Sequence, residues 1–194
     1  MLAILNTHPI QYYAPVWKLL SEKLNVKFEV WYLTQHGVKP TLDPEFGVIF
    51  NWDIDLLNGY PFRFPDGAVP QQLGGFWQVG LPQYFRDQLT SGKVTALFVP
   101  GWNVRACWEA VFIAHRCGIP VWIRGDSNDL KPDPWHKGFF KRILMAAFLH
   151  RVSSFLFVGE ANRRLYKNYG VLESRLFPAL HAVDNLRFTS KAVS

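Results

Sequence analysis

The chain has 194 residues, of which 49% are hydrophobic and 19% are charged, and its formal net charge is +6. This length supports one domain with a hydrophobic core and is too short for two full α/β domains, while the composition excludes a disordered chain. The positive charge suits a phosphate-bearing partner, but no long Lys/Arg run or RNA-binding signature is present, which argues against nucleic acid.

The first part of the chain predicts a strand, a helix and a second strand. A short apolar run indicates a strand over Leu2 to Asn6, and apolar residues at helical spacing indicate a helix between Tyr13 and Leu24. The β-branched and aromatic residues from Val26 to Leu33 are typical of a strand. Residues 34–80 contain many Gly and Pro and are interpreted as long loops around a short strand near Pro61 to Phe64.

Helices and strands alternate from Pro82 onward. Pro82 and Gly92 mark the start and stop of one helix, and Asn103 is predicted to cap another that Gly118 ends. The further predicted strands are Ala96 to Val99, Val121 to Arg124, Phe155 to Val158 and Arg175 to Phe177, and the further helices are Trp135 to His150 and Glu160 to Tyr169. This alternation indicates right-handed βαβ units and therefore a Rossmann-like three-layer α/β domain with a mostly parallel sheet.

Two helices are predicted to bury one apolar face each. The inward residues of the first are Val104, Cys107, Trp108, Val111 and Phe112, and those of the second are Phe140, Ile143, Leu144 and Ala147. Cys107 and Cys117 lie on one predicted helix about 15 Å apart, too far for a disulfide, and are interpreted as buried, reduced cysteines of a cytosolic protein. The N-terminus lacks the pattern of a signal peptide, and the apolar run Ile143 to Leu149 is too short to span a bilayer.

Ligands of parallel sheets bind at the carboxyl ends of the strands, and four loops with unusual residues leave those ends. The candidate site residues in these loops are His8, Gln11, Tyr12, Trp102, Asn103, Arg124, Gly125, Asp126, Ser127, Gly159 and Asn162. Arg124 to Ser127 can bind a polyol or a phosphate, and the competing interpretation is an Arg–Asp pair that closes a loop. His8 stands where backbone amides can face an anion, and the competing interpretation is an ordinary surface-loop histidine.

Helix 135–151 combines basic and aromatic residues, a mixture that can dock on an anionic membrane surface. The favoured alternative is a core-packing helix with a solvated basic face. Charge reversal at Lys137, Lys141 and Arg142 should change binding to anionic vesicles only if the helix docks on a membrane.

Several common site types have no signature in the sequence. There is no Walker P-loop and no GxGxxG opening the first helix, which disfavours a dinucleotide-binding oxidoreductase, and no GxSxG, which disfavours an α/β-hydrolase. No His, Cys and carboxylate cluster has metal-ligand spacing.

The segment His181 to Phe188 reads His-Ala-Val-Asp-Asn-Leu-Arg-Phe and resembles the Asn-Gly-Val-Asp-x-x-x-Phe hinge of glycosyltransferase family 4. The run from Val158 to Val171 looks like the approach to this hinge in that family. The other stretches that resemble one subgroup of these enzymes, the family 1-like group, are His8 to Pro15, Glu45 to Gly47, Trp52-Asp53, Leu57 to Tyr60 and Arg124 to Ser127. The resemblance extends over essentially the whole chain.

This resemblance implies a GT-B enzyme, in which two Rossmann-like domains face each other across a cleft. The N-terminal domain mainly holds the acceptor, and the C-terminal domain holds the nucleotide-sugar, usually with a pair of glutamates. The family retains anomeric configuration and typically needs no metal, so no cofactor is expected and the nucleotide-sugar is the donor substrate. Many members act in polysaccharide biosynthesis or on lipid-linked acceptors at the cytoplasmic membrane face.

By this resemblance, residues 1–180 correspond to the acceptor-side domain and 181–194 to the hinge and the start of a donor-binding domain that the chain lacks. Many members have a glycine-rich loop where this chain has His8 to Tyr12, and a histidine where it has Gly125 and Asp126. Asp126 is therefore assigned to an acceptor-facing catalytic position and His8 to a contact with donor phosphate or acceptor. The chain alone is expected to be inactive.

Two other functions remain open. One is a non-catalytic binding subunit of a split glycosyltransferase, and the other is an unrelated Rossmann-like ligand-binding domain that closes after Arg187. A large apolar surface left bare near the hinge would favour a missing partner domain. The expected location is the cytoplasm, with contact at the inner face of the cell membrane as the open alternative.

Overall fold

Strands and helices alternate along the part of the chain that the computed structural model describes, residues 1–24, 26–43, 47–50, 52–69, 73–127 and 135–183. The strands are β1 Leu2–Asn6, β2 Phe28–Tyr32, β3 Thr41–Asp43, β4 Val48–Phe50, β5 Phe62–Arg63, β6 Ala96–Pro100, β7 Val121–Gly125, β8 Ser154–Phe157 and β9 Leu176–Pro178. The helices are α1 Ala14–Lys23, α2 Gln83–Thr90, α3 Arg105–Arg116, α4 Trp135–Leu149 and α5 Glu160–Asn168, with a 3₁₀ turn at Glu173–Arg175.

Seven of these strands form one parallel sheet in the order β5-β2-β1-β6-β7-β8-β9. This confirms the predicted Rossmann-like α/β fold. The direction in which successive strands are added reverses between β1 and β6, so the carboxyl ends of these two strands flank the switch point where ligands of such sheets bind.

One face of the sheet is covered by α2, α3, α4 and α5. Its buried residues include Leu97, Ile123 and Phe155, which pack with side chains from these four helices in one continuous cluster. Trp31 of β2 stacks on Phe85 of α2 with ring centroids 4.8 Å apart. Right-handed crossovers place consecutive helices on the same face when strands are added in one direction, which accounts for this layer.

The opposite face is covered only in part. Helix α1 packs Trp17 against β1 and β2, where Ile4 and Val30 are fully buried. Helix α1 also reaches β6, where the Trp17 and Phe98 ring centroids are 6.2 Å apart, but among the described residues no helix packs over β7 to β9 on this side. Trp122 of β7 is therefore 37% exposed and Phe177 of β9 is 46% exposed, although both belong to a parallel sheet.

The predicted strands of the main sheet and the predicted helices are confirmed, with ends shifted by up to two residues. Gly118 and Gly170 adopt positive φ of 70° and 81°, so both end their helices as predicted. The interpretation of residues 34–80 as loops around one short strand was incomplete, because β3 and β4 pair as an antiparallel hairpin beside the main sheet. These three-residue strands are too short to show a period in the sequence.

The predicted cap of α3 was wrong, and its predicted inward face was right for Val104, Cys107 and Val111 but not for Trp108 and Phe112. The residue before the first turn is Val104, and no side chain caps the helix, so Asn103 is an exposed loop residue. The buried face consists of Ala106, Cys107, Ala110, Val111 and Ala114. Small residues let α3 approach the sheet closely, and the larger Trp108 and Phe112 are displaced to its half-buried flanks.

The predicted inward face of α4 was also wrong. Ile143 and Leu144 are 54% and 58% exposed, and Ala147 is exposed as well, whereas Phe148 and Leu149 are buried. The side chains of residues 135–141, including Phe140, lie outside the described residues. An uninterrupted apolar run from Ile143 to Leu149 offers several possible stripes, so periodicity alone did not select the correct one.

Cys107 is buried and Cys117 is exposed, and neither forms a disulfide. The prediction of two buried cysteines was therefore wrong for Cys117, which follows the last turn of α3 on its solvent side. Burial raises the pKa of the Cys107 thiol to about 12, so this side chain is an unreactive core residue. None of the described helices combines the length and hydrophobicity needed to cross a membrane.

Candidate functional site

The candidate site lies along the carboxyl edge of the sheet, where the loops after β1, β6, β7 and β8 emerge side by side. Its predicted residues form three groups. His8 follows β1 beside the switch point, and Arg124 and Asp126 stand at the end of β7. Trp102 packs against Gly125, and Asn162 binds the same β7 loop at Ser127.

Arg124 is the most constrained side chain of the edge. It is 9% exposed, and its guanidinium donates from Nε to the Ala179 carbonyl at 3.1 Å and from Nη1 to the Tyr13 hydroxyl at 2.7 Å. Its Nη2 lies 3.3 Å from Nδ1 of His181. Arg124 therefore connects the end of β7 to the start of α1 and to the segment that opens the hinge motif.

The competing Arg–Asp interpretation does not hold. Arg124 and Asp126 are both described and form no ion pair or hydrogen bond with each other. Arg124 is buried and Asp126 is exposed, and both line one large groove. The carboxylate of Asp126 therefore stands at the open edge, as an acceptor-facing group would require.

Gly125 is required by a close approach of Trp102. A Cβ atom at position 125 would lie 2.5 Å from the Trp102 ring, far inside van der Waals contact. Trp102 is half-buried against Phe148 and Tyr166, with ring centroids 6.4 and 6.2 Å away. The ring thus packs beneath the β7 loop, and a direct contact with substrate stays a prediction.

Asn162 fastens the β8 loop to the β7 loop. It is 3% exposed, its Oδ1 accepts the Val158 N–H at 3.2 Å, and its Nδ2 donates to the Ser127 carbonyl at 2.8 Å. The Ser127 residue itself is exposed. Asn162 therefore positions the loop that carries Asp126, a role that sequence alone did not distinguish from substrate binding.

His8 forms the third group together with His36, which follows β2. The two rings meet edge to face with centroids 5.1 Å apart, and Nδ1 of His8 lies 3.0 Å from Oγ1 of Thr7. Burial, and then the proximity of His36, lower the pKa of His8 to about 4. At neutral pH His8 is therefore uncharged, and any contact with a phosphate is a hydrogen bond from a neutral ring.

His8 and Asp126 do not share one contact network. Strand β6 separates β1 from β7, so their carboxyl ends stand two strand spacings apart, roughly 10 Å. Asp126 lines a large groove beside Arg124, and His8 is not among the residues that line it.

The remaining predicted residues occupy varied positions along the edge. Tyr12 is 54% exposed, and Asn103 is exposed. Gln11 is half-buried and interacts with another group of the chain. Gly159 precedes the first turn of α5 in an extended conformation.

Sequence reasoning missed three residues of this edge, Tyr13, His36 and His181. Tyr13 was interpreted as part of a helix face, and His181 was considered only within the hinge motif. His36 carried a usable signal, because it follows the end of β2 just as His8 follows the end of the neighbouring β1.

A large groove opens beside Arg124 on the incompletely covered face of the sheet. Its volume is about 1260 Å³, and α1 forms one wall. The residues that line its floor and far end include Phe98, Trp122, Arg124, Asp126, Leu156, Ala179, Leu180 and His181. An apolar surface near the hinge is therefore present in the described part of the chain.

The residues of the family resemblance are described in part. Trp52, Asp53 and Leu57 line a smaller pocket of about 450 Å³ beside Gly37. Glu45 and Phe46, and Asp184 to Phe188 of the hinge motif, lie outside the described residues, as does the rest of the predicted hinge from 184 to 194. Within the described ranges, no group of three or more His, Cys, Asp or Glu side chains is placed to hold a metal ion.

No protein-family model, curated protein or solved structure matches this chain.

Proposed function

We propose that this chain is the acceptor-side half of a retaining glycosyltransferase, which transfers a sugar from a nucleotide-sugar to a glycan or lipid-linked acceptor. The single observation that carries the proposal is the position of the hinge segment. Ala179 and His181 are bound by Arg124 at the carboxyl edge of the sheet, next to the exposed Asp126. A second domain that continues from this segment would face the polar edge across a cleft.

The chemistry of the edge fits an acceptor site. Asp126 offers a carboxylate that can accept a hydrogen bond from an acceptor hydroxyl, and His8 offers a neutral imidazole about two strands away. The leaving nucleoside diphosphate would be stabilised mainly by hydrogen-bond donors of the donor-binding half. The net charge of +6 favours approach of such phosphate-bearing substrates.

The two other functions differ in what they require. An unrelated Rossmann-like ligand-binding domain that closes after Arg187 would leave no apolar face beside the hinge, and the groove beside Arg124 speaks against it. A non-catalytic binding subunit of a split enzyme fits the same surfaces. It differs from the main proposal by requiring a donor-binding partner that copurifies as a separate chain.

Substitution of Asp126 tests the proposed site in the assembled enzyme, that is, this chain together with its donor-binding half. Asp126→Asn keeps the size of the side chain and should lower the rate of sugar transfer by about a hundredfold or more, because the charge facing the acceptor hydroxyl is lost. Asp66→Asn is the matched control, since Asp66 is exposed in the loop after β5, at the far end of the same edge and four strands from β7. Equal rates for the two variants would remove Asp126 from the mechanism.

A further inference from the structure

Two histidines meet where the loops after the neighbouring strands β1 and β2 come together. The ring centroids of His8 and His36 lie 5.1 Å apart, with an angle of 74° between the ring planes. Two imidazoles that bind one zinc ion tetrahedrally, each with a Zn–N distance of about 2.1 Å, have ring centroids about 5 Å apart. The separation of the two rings therefore matches that of a pair sharing one metal ion.

Backbone hydrogen bonds fix the two loops against each other. The N–H groups of Thr34 and Leu33 donate to the Thr7 carbonyl at 2.9 Å and 3.1 Å. Thr7 directly precedes His8, and Thr34 stands two residues before His36. These bonds therefore hold the backbone beside both histidines at a fixed spacing.

His36 is further confined by a tight turn. The Val38 N–H donates to the Gln35 carbonyl at 3.1 Å, and Gly37 adopts a positive φ of 77° within the turn. A Cβ atom at position 37 would lie 3.0 Å from Nε1 of Trp52, so the turn packs closely against that ring. The backbone that carries His36 is thus ordered before any ligand binds, which lowers the entropic cost of binding.

The ring nitrogens are arranged as in a ligand pair. Nδ1 of His8 lies 3.0 Å from Oγ1 of Thr7, and the tautomer that donates to this hydroxyl leaves Nε2 with a free lone pair. A hydrogen bond on the other ring nitrogen is what orients metal-bound histidines. Nδ1 of His36 is buried and has no hydrogen-bond partner among the described residues. A bound metal ion would account for this buried, unpartnered nitrogen.

We propose that His8 and His36 together bind one divalent transition-metal ion of the kind that prefers imidazole ligands, such as Zn²⁺, through Nε2 of His8 and Nδ1 of His36. Water, or an oxygen atom of a bound molecule, completes the coordination. Both side chains are half-buried, so an ion reaches them from solvent. Imidazole suits zinc, copper and nickel, whereas Mg²⁺ and Ca²⁺ prefer oxygen ligands. The proposal is independent of the proposed function.

Calorimetric titration of the chelator-treated chain with ZnCl₂ tests the proposal. The unchanged chain should bind one Zn²⁺ ion and should not bind Mg²⁺ at the same concentrations. His8→Gln and His36→Gln should each weaken zinc binding at least about tenfold, and Thr7→Val, which removes the hydrogen bond to the His8 ring, should weaken it less. His115→Gln is the matched control and should leave the affinity unchanged, because His115 is exposed in the last turn of α3.

X-ray absorption at the zinc edge of the unchanged chain gives a test that needs no substitution. The spectrum should show scattering from two imidazole rings with Zn–N distances of about 2.0–2.1 Å. Circular dichroism identifies the variants that keep the fold, so that a loss of zinc binding is interpreted only for folded protein.

Several results would overturn the proposal. They are no zinc binding by the unchanged chain, a spectrum with oxygen neighbours only, and equal affinity for Zn²⁺ and Mg²⁺. Unchanged affinity in folded His8→Gln and His36→Gln, or a loss confined to His115→Gln, would do the same. Absence of sugar transfer by the assembled enzyme would count against the proposed function alone.

Discussion

His8 is a titratable group whose environment in the fold differs sharply from that in the unfolded chain. Its pKa of about 4 lies below the ordinary 6.5, so between these values the unfolded chain binds more protons than the folded one. The free energy of unfolding should therefore fall as the pH drops from about 7 to 4, by about 1–3 kcal/mol from this group.

Denaturant unfolding at several pH values measures this effect. His8→Asn removes the imidazole, so the variant should show a correspondingly shallower loss of stability over the same range. The ordinary carboxylates titrate in both proteins and cancel in the difference. Parallel pH profiles for the two proteins would contradict the burial of a neutral His8.

Gly125 offers a second test at the residue scale. Gly125→Ala would push a Cβ atom to 2.5 Å from the Trp102 ring, and the strain should lower the free energy of unfolding by about 1–3 kcal/mol. Gly159→Ala is the matched control, since its backbone is extended and its Cβ would meet no atom within 4 Å. Chemical denaturation of both variants gives the comparison, and equal stabilities would mean that Trp102 does not pack on the β7 loop.

At the scale of elements, the existence of helix α4 was predictable from the sequence, whereas the face that it buries was not. The composition and length of α4 predicted a helix. They did not predict its buried face, because the uninterrupted apolar run from Ile143 to Leu149 places apolar side chains on every side of the helix. The same limit applies to α3, where packing distance favoured alanines over the larger residues that the pattern suggested. Periodicity identifies an element, whereas the face it buries depends on its neighbours.

At the candidate site, the positions of the residues were predictable from the sequence, but their contacts were not. Strand ends and their loops were predictable because βαβ order places them at one edge, and His8, Arg124 and Asp126 are found there. The contacts were not predictable, since Arg124 reaches Tyr13 and Ala179 at sequence separations of 111 and 55 residues. Such pairs depend on the tertiary fold and leave no local pattern in the chain.

The orientation of α4 leads to a stability prediction. Phe148→Ala should lower the free energy of unfolding by about 3–5 kcal/mol because the ring is fully buried, whereas Leu144→Ser should change it by less than about 0.5 kcal/mol. Urea denaturation distinguishes the two variants. A larger loss of stability for Leu144→Ser than for Phe148→Ala would mean that α4 buries the face expected from the sequence.

The exposed side of α4 also bears on membrane contact. Arg142 is exposed beside Ile143 and Leu144, and its guanidinium donates to the Asn168 carbonyl at 3.0 Å. Basic and apolar residues side by side on a helix can contact an anionic membrane surface. If this side docks on anionic lipid, Arg142→Glu should weaken binding to phosphatidylserine vesicles by several-fold, as each basic residue near the surface contributes about 1 kcal/mol. Vesicle cosedimentation with Arg116→Glu, an exposed position at the end of α3, provides the control. If both variants and the unchanged chain bind the vesicles equally, the exposed side of α4 faces solvent and does not contact the membrane.

At the scale of the whole molecule, the fold has a complete helical layer on one side of the sheet and an incomplete one on the other. The uncovered half adjoins the segment that Arg124 holds, so the groove, the polar edge and the start of the hinge motif meet in one region. This convergence is what an acceptor-side half would need: a surface for the acceptor, a carboxylate facing it, and an exit for the chain toward a donor-binding domain.

The most direct test of this account measures nucleoside diphosphate release from a panel of nucleotide-sugars, with acceptor present, by the 194-residue chain alone and by the same chain with its donor-binding half. The account predicts no release above background by the chain alone, and turnover that depends on the acceptor once both halves are present. Sugar transfer by the chain alone, or no turnover of any nucleotide-sugar by the two halves together, would contradict it.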